Sequence, residues 1–345
     1  AFGLSGLRGQ FSDTVKYDGH NWKVLHRSNS NYGELLVIET GSAIGTYRMY
    51  LNDSLTQNTY DPDTRQSRSL FTGALRWLAH AYTPAIDRVL CIGMGAGIVP
   101  MQFAEAGITT DVVEINGAIV PVAEEFFDFD RKKVNLTIGD GRQFLNQTDQ
   151  KYDAILLDAF LGDSSPSHLM TVEAFAEMRQ HLTSHGVLVI NSFGQSTKDR
   201  QYFSASLDRT LRAAFGEERV VVHASGQGNV FFVAANEGEL TAHRPPATPD
   251  SNATARLAAA GTDALAIEEW RGWYAAAAKL GRANEPFFSE HRDVKDEMGL
   301  MWKKKRKFDP AAGEILRDDF NPVEFYDARN RDANRRRLVQ SLHAR

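Results

Sequence analysis

The chain has one cysteine in 345 residues, Cys91, and it lies inside an apolar run. A disulfide framework is therefore excluded, the usage fits a reducing compartment, and Cys91 itself reads as core packing. No run of about 18 apolar residues exists, so no segment is built to cross a bilayer as a helix. No His, Cys and acidic residues stand at metal-ligand spacing, and neither Gly-x-Ser-x-Gly nor a phosphate-cradling Gly-Lys-Ser/Thr pattern occurs, so no metal is expected. Excess positive charge is missing as well. The formal net charge is −5 and the pI about 6.1, which excludes a global attraction to nucleic acid or anionic membrane. No signal-like segment opens the chain. It begins at Ala1 without Met, and the expectation is a cytoplasmic unit with room for a membrane tether upstream in a longer protein.

What is present can build a sizeable core, because 42% of the residues are apolar. From Trp22 to Leu55 they come in short alternating runs, WKVLHR, YGELLVIETG and TYRMYLND, broken by Asn, Ser and Gly. That pattern predicts antiparallel strands and hairpins, a small β-subdomain over residues 1–64. SLFTGALRWLAHAY then places Leu70, Ala74, Leu75, Leu78 and Ala79 on one helical face. Over 65–240 the chain alternates apolar strands (RVLCIGMG, TTDVVEIN, VNLTIGD, YDAILLDAF, GVLVINSFG) with helical segments (IVPMQFAEAG, AIVPVAEEFF, TVEAFAEMRQHL, YFSASLDRTLRAAFG). Unbroken aliphatic strands between helices predict an α/β fold with a mostly parallel sheet covered on both faces. RVVVHAS and NVFFVAAN, separated by GQG, read as a closing hairpin. Pro- and Ala-rich residues 241–262 read as a linker, and 263–345 as a helical extension whose tail carries basic clusters at 302–307 and 329–337.

Chemistry-bearing residues fall at the ends of those strands. Gly93, Gly95 and Gly97 form a G-x-G-x-G turn between a strand and a helix, where backbone amides can meet a polar ligand group. Glu114 follows about 20 residues on, at the end of the next strand, where a carboxylate can take both ribose hydroxyls. Asp140 ends VNLTIGD with Gly141 directly after it, and Asp158 ends YDAILLD. Glycines and acidic residues at such places also pack and cap helices without binding anything; their recurrence on one edge of one sheet points to a nucleoside site.

From Tyr32 to about Asn236, and most closely from Arg88 to Gly194, the chain resembles the spermidine synthase family, the polyamine aminopropyltransferases. The pieces that carry the likeness are VLCIGMGAG, TTDVVEIN, LTIGDGRQFL and YDAILLDAFLGDSSPSHLMTVEAFAEMRQHLTSHGVLVIN. The last is similar to bacterial members fused to membrane segments. The resemblance implies a methyltransferase-like (Rossmann-like) sheet preceded by a β-subdomain, a homodimer, and transfer of an aminopropyl group from decarboxylated S-adenosylmethionine to a small-molecule amine, releasing methylthioadenosine. It implies that Asp158 handles the amine, Glu114 the ribose, Asp140 with Gly141 the adenine, and the three glycines the floor under the methionine-derived part. Gln57 stands near a glutamine of the family's early hairpin, and Tyr32-Gly33 where Tyr-Gln is usual.

The departures are equally specific. The family's glycine turn holds an aspartate that binds the aminopropyl ammonium and repels the carboxylate of intact S-adenosylmethionine; here the position is Ala96. The family's Tyr-His-Glu cluster before the sheet is replaced by RQSRSLFTGAL. Three readings stay open: an aminopropyltransferase, an enzyme that uses intact S-adenosylmethionine as methyl donor or otherwise, and a nucleoside-binding domain without an acceptor site. His168 and Asp163, in the loop after Asp158, are candidates for the acceptor side, against their use as a loop histidine and a helix cap.

Overall fold

The computed structural model describes residues 14–17, 20–42, 45–83, 85–160, 166–193, 201–224, 229–240 and 307–322. The expected linker, most of the C-terminal extension, nearly all of both basic clusters, and Asp163 lie outside the described residues.

Six antiparallel strands form the first sheet in sequential order: β1 (Thr14–Tyr17), β2 (His20–Ser30), β3 (Gly33–Ser42), β4 (Gly45–Asn52), β5 (Leu55–Asp61) and β6 (Gln66–Ser67). The antiparallel strands thus run to Ser67, and β1, β5 and β6 are not strands that the alternation predicts. Tight turns set the register. Between β4 and β5, Asp53 and Ser54 both adopt positive φ, 47° and 67°, the pair of left-handed residues that a two-residue hairpin needs to match strand twist. The Asp53 carboxylate accepts the Glu34 N–H at 2.9 Å. It leaves no room for a Cβ at Gly33, whose φ is 108°.

Helix α1 (Leu70–Tyr82) follows. The sequence predicts one apolar face, yet the helix is buried on every side from Thr72 to Tyr82, because it lies against β11, β13 and α2 of the second sheet and against β6 of the first. Its polar side chains find partners inside: His80 stacks on Phe103 at 5.7 Å, and Tyr82 Oη lies 2.9 Å from His223 Nε2. At the junction Arg68 pairs with Asp61, both almost fully buried, and its guanidinium covers the Tyr47 ring at 4.5 Å.

The second sheet holds β7 (Arg88–Ile92), β8 (Thr109–Glu114), β9 (Asn135–Ile138), β10 (Tyr152–Leu157), β11 (Leu182–Phe193), β12 (Val220–Ala224) and β13 (Asn229–Ala235), in the order β12-β13-β11-β10-β7-β8-β9. Neighbours from β11 through β9 are parallel. β13 is antiparallel to both β11 and β12, the expected closing hairpin. The connecting helices are α2 (Ile98–Glu105), α3 (Ile119–Phe126), α4 (Gly141–Gln147), α5 (Val172–Gln180) and α6 (Tyr202–Phe215). Pro100 and Pro121 each fall in a first helical turn, where the missing N–H breaks no hydrogen bond. α4 was not expected; seven residues are too few to show a period, and its one signal is the Asp140 cap, which accepts the Gln143 N–H at 2.9 Å.

Strand order reverses direction between β7 and β10, so a crevice opens outside their carboxyl ends. One more segment completes this side of the molecule. Residues 307–322 dock on α5 and α6: Leu316 is fully buried, its N–H donates to Thr210 Oγ1 and its carbonyl accepts the Val172 N–H, both at 2.9 Å. Gly313 passes so close that a Cβ there would sit 2.3 Å from the Ser206 nitrogen.

Candidate functional site

The carboxyl ends of five parallel strands bring the sequence candidates together. β7 runs into the glycine turn, whose residues Gly93, Gly95 and Gly97 have φ of 93°, 52° and 79°, a region that side chains with a Cβ rarely enter. Close approach demands glycine as well. A Cβ at Gly93 would lie 2.4 Å from the Asp158 carbonyl, and one at Gly97 2.5 Å from the Phe129 ring. The turn is therefore pressed against the end of β10, and the Asp158 N–H donates to the Ile92 carbonyl at 2.9 Å.

Glu114 ends β8 and is buried. Its two oxygens accept the N–H groups of Met94, at 2.8 Å, and Asn116, at 2.7 Å. Burial holds its carboxyl above the ordinary range, although those backbone donors work the other way. The residue thus clamps the glycine turn to the next strand while keeping acceptor capacity, since a carboxylate has about four lone-pair sites.

Asp158, at the end of β10, accepts a hydrogen bond from Asn191 Nδ2 at 2.8 Å. Burial pushes its carboxyl up to about 6; Asn191 lowers it and the nearby Glu114 charge raises it further. A carboxylate with that affinity can take a proton near neutral pH and give it up again.

On the β9 side, Asp140 caps α4 with one oxygen and places the other 2.7 Å from His168 Nε2. Burial works against ionisation of Asp140, but the Gln143 N–H and His168 hold it below the ordinary carboxylate range. His168 sits on the 3-10 turn Ser167–Leu169, fixed from behind: Asn321 Nδ2 donates to the Ser167 carbonyl at 2.8 Å. Arg142 reaches the His168 carbonyl at 3.3 Å and makes a paired contact with Asp318 at 2.7 and 2.6 Å. Asp318 also accepts the Thr171 hydroxyl at 2.7 Å. The docked C-terminal segment is in this way part of the wall around the site.

The first sheet supplies the opposite wall. Ser30 Oγ accepts from Asn116 Nδ2 at 3.1 Å, which leans the β2–β3 hairpin, with Tyr32 in its turn, over the end of β8. Tyr32 is held there by its N–H to Ser30 Oγ at 3.1 Å and by its carbonyl, which accepts from Asn52. From β5, Asn58 Oδ1 lies 3.4 Å from the Ala96 nitrogen inside the glycine turn. Gln57 Nε2 is directed to the Leu55 carbonyl at 3.4 Å.

Residues 75–237 match the model of the spermine/spermidine synthase domain. This chain belongs to the spermine/spermidine synthase family. The polyamine aminopropyltransferase of Vibrio vulnificus is 34% identical over 201 residues, 56% of this chain and 66% of that protein. A probable polyamine aminopropyl transferase of Bifidobacterium longum is 31% identical over 144 residues, 40% of this chain and 31% of that protein. The chain therefore spans about one to two thirds of the length of these relatives. An N-terminal histidine N-methyltransferase of Emericella nidulans is 28% identical over 177 residues, 48% of this chain and 31% of that protein. Among solved structures, a probable spermidine synthase from Corynebacterium glutamicum superposes with a TM-score of 0.53 at 17% identity, covering 68% of this chain and 86% of that one. Spermidine synthase from Thermotoga maritima gives 0.51 at 17%, covering 67% and 81%. These likenesses establish the fold: the methyltransferase-like sheet with its antiparallel N-terminal partner.

Within this member of the spermine/spermidine synthase family, the glycine turn of Gly93, Gly95, Ala96 and Gly97 meets Glu114 and Asp158 at the carboxyl ends of β7, β8 and β10, and Asp140, Gly141 and His168 stand on the β9 side. From β5 it is the Asn58 amide that reaches the glycine turn, while its neighbour Gln57 stands at the bulge where the β4–β5 register shifts, so the two side chains alternate faces there. Ser30, Asn58, Asn116, Asn191 and Asn229 carry no signal in the sequence, where they read as ordinary members of strands and turns. Among the described residues no group of His, Cys, Asp or Glu could hold a metal, and no helix is long and apolar enough to cross a membrane.

Proposed function

We propose that the crevice binds an S-adenosyl donor and transfers its aminopropyl group to a small-molecule amine, with decarboxylated S-adenosylmethionine as donor and methylthioadenosine as product. The amine lone pair attacks the carbon beside the sulfonium, the carbon–sulfur bond breaks with its electrons going to sulfur, and the new ammonium loses a proton. The observation that carries this reading is Asp158: a largely buried carboxyl, raised to about 6, beside the glycine turn. Ionised, it orients the amine and takes the proton; the turn and Glu114 hold the donor so that displacement is in line. The names of the Vibrio and Bifidobacterium relatives support the same chemistry.

One observation favours a second reading, use of intact S-adenosylmethionine. Where the family's turn carries an aspartate, Ala96 is buried and its N–H faces the neutral Asn58 amide, so among the described residues no carboxylate stands at that point to repel the donor's own. The name of the Emericella relative points the same way. Calorimetric titration with S-adenosylmethionine, its decarboxylated form and methylthioadenosine separates the two, followed by mass spectrometry of reactions with diamines and polyamines. Aminopropylated amine plus methylthioadenosine supports the first reading; preference for intact donor with no such product refutes it. Asp158→Asn is expected to leave methylthioadenosine binding intact and cut turnover about a hundredfold or more. The same reading carries a homodimer paired through the first sheet, which light scattering tests, and a membrane tether in the full-length protein.

A further inference from the structure

Among the described residues, the hydrogen bond that reaches the Asp158 carboxylate side chain comes from a side chain on β11, in the far half of the sheet. Asn191, the tenth residue of β11, is 2% exposed. Its Nδ2 donates to Asp158 Oδ1 at 2.8 Å, and its Oδ1 accepts from Asn229 Nδ2 at 3.0 Å. Asn229 opens β13, the strand antiparallel to β11, and pairs with Phe193, so it is the diagonal neighbour of Asn191 on the same face. An asparagine amide can face either way, and a buried one takes the orientation its partners dictate. Here a donor on one side and a carboxylate on the other leave a single orientation in which both bonds form.

We propose that Asn191 is the positioning residue for Asp158, and that Asn229 locks it in the orientation that donates to the carboxylate. Asp158 Oδ1 is then committed to the relay, and Oδ2, which has no hydrogen-bond partner among the described residues, is the oxygen presented to the amine. The inference rests on the reading of Asp158 as the group that meets the acceptor. The same bond favours the ionised form of a carboxyl that burial and Glu114, at the end of β8, both push toward protonation. The other titratable neighbour is Cys91 on β7, whose buried thiol is raised by burial and by the Asp158 and Asp111 charges, and which stays neutral.

The test is a titration that needs no turnover. The chain labelled with carboxyl-carbon-13 aspartate is followed by NMR from acid to alkaline pH, with the Asp158 resonance assigned by its loss in Asp158→Asn. In Asn191→Leu the Asp158 midpoint is expected to rise by about one pH unit, a tenfold gain in proton affinity, because one hydrogen bond to the ionised form is lost. Asn229→Ala, at the half-buried end of β13, is expected to move it less and in the same direction, since the freed amide can turn its oxygen toward the carboxylate. The acid limb of kcat/KM should move up in step, with the Kd for methylthioadenosine unchanged. An unmoved midpoint in Asn191→Leu, or in Asn229→Ala if the first variant fails to fold, overturns the relay. So does a loss of methylthioadenosine affinity that matches the loss of kcat/KM, which marks a merely structural role. If the wild type transfers nothing to any amine, the functional reading fails, and the NMR midpoints still decide this one.

Discussion

Replacing Asp158 with asparagine should make the protein more stable above neutral pH and leave it unchanged in acid. Burial raises the Asp158 carboxyl from 3.8 to about 6, so the folded state holds the proton more tightly than the unfolded chain does. Ionisation of this group therefore opposes folding. The penalty is absent below about 3.8, grows through the interval, and is complete above about 6. The interval corresponds to about 3 kcal/mol at about 1.4 kcal/mol per pH unit. Asp158 keeps some exposure, so a gain of about 1 to 3 kcal/mol is the expectation at pH 8. Asparagine offers the same oxygen to Asn191 and never ionises, so it keeps the hydrogen bond and removes the penalty. Urea unfolding of both proteins at pH 8 and pH 4 measures it: the midpoint gap should be wide at the first and nearly closed at the second. An equal gap at both values, or a variant less stable at pH 8, would refute the argument that Asp158 is a desolvated carboxylate kept for chemistry rather than for the fold.

Asp61→Asn removes the charge that neutralises buried Arg68; leaving that cation unpaired should destabilise by about 3 to 5 kcal/mol, read by chemical denaturation. Gly93→Ala would put a Cβ 2.4 Å from the Asp158 carbonyl at a φ of 93°; the turn must open, and methylthioadenosine affinity by calorimetry should fall at least about tenfold. Gly313→Ala would thrust a Cβ to 2.3 Å from the Ser206 backbone; the 307–322 segment should detach, and limited proteolysis should cut there first while α6 stays protected. Ala96→Asp should weaken binding of S-adenosylmethionine relative to its decarboxylated form, with competitive titration as the check, because it restores a like charge beside the donor's carboxylate.

Some of the site was legible because its residues sit where the local pattern ends. Asp158 closes an unbroken aliphatic run, Glu114 closes the Val112-Val113 pair of the preceding strand, and the three glycines interrupt an apolar run, so their places on a parallel sheet follow from periodicity and turn chemistry alone. Asp140 was legible as a position but not as a pair: its contact with His168 joins residues 28 apart through a loop that no period describes. That Asn58 meets the glycine turn depends on strand parity and on a bulge between β4 and β5 that leaves no mark in the composition. Asn191 reads as one more residue of an apolar strand, and nothing nearby signals that Asn229, 38 positions later, lies beside it. The docking of residues 307–322 on α5 and α6 has the same character, since it joins Leu316 to Thr210 across 106 positions.

The sequence by itself determined the α/β class, the antiparallel entry, the closing hairpin and the glycine turn, because each depends on the period of apolar residues or on backbone freedom within a few positions. Tertiary structure alone decided which polar side chains meet: the Asn229–Asn191–Asp158 relay, the Glu114 clamp, the Asp140–His168 pair and the burial of α1 on all sides. Those depend on strand order, in which β11 and β13 become neighbours beside β10, and order follows from how whole faces pack rather than from any local stretch of chain.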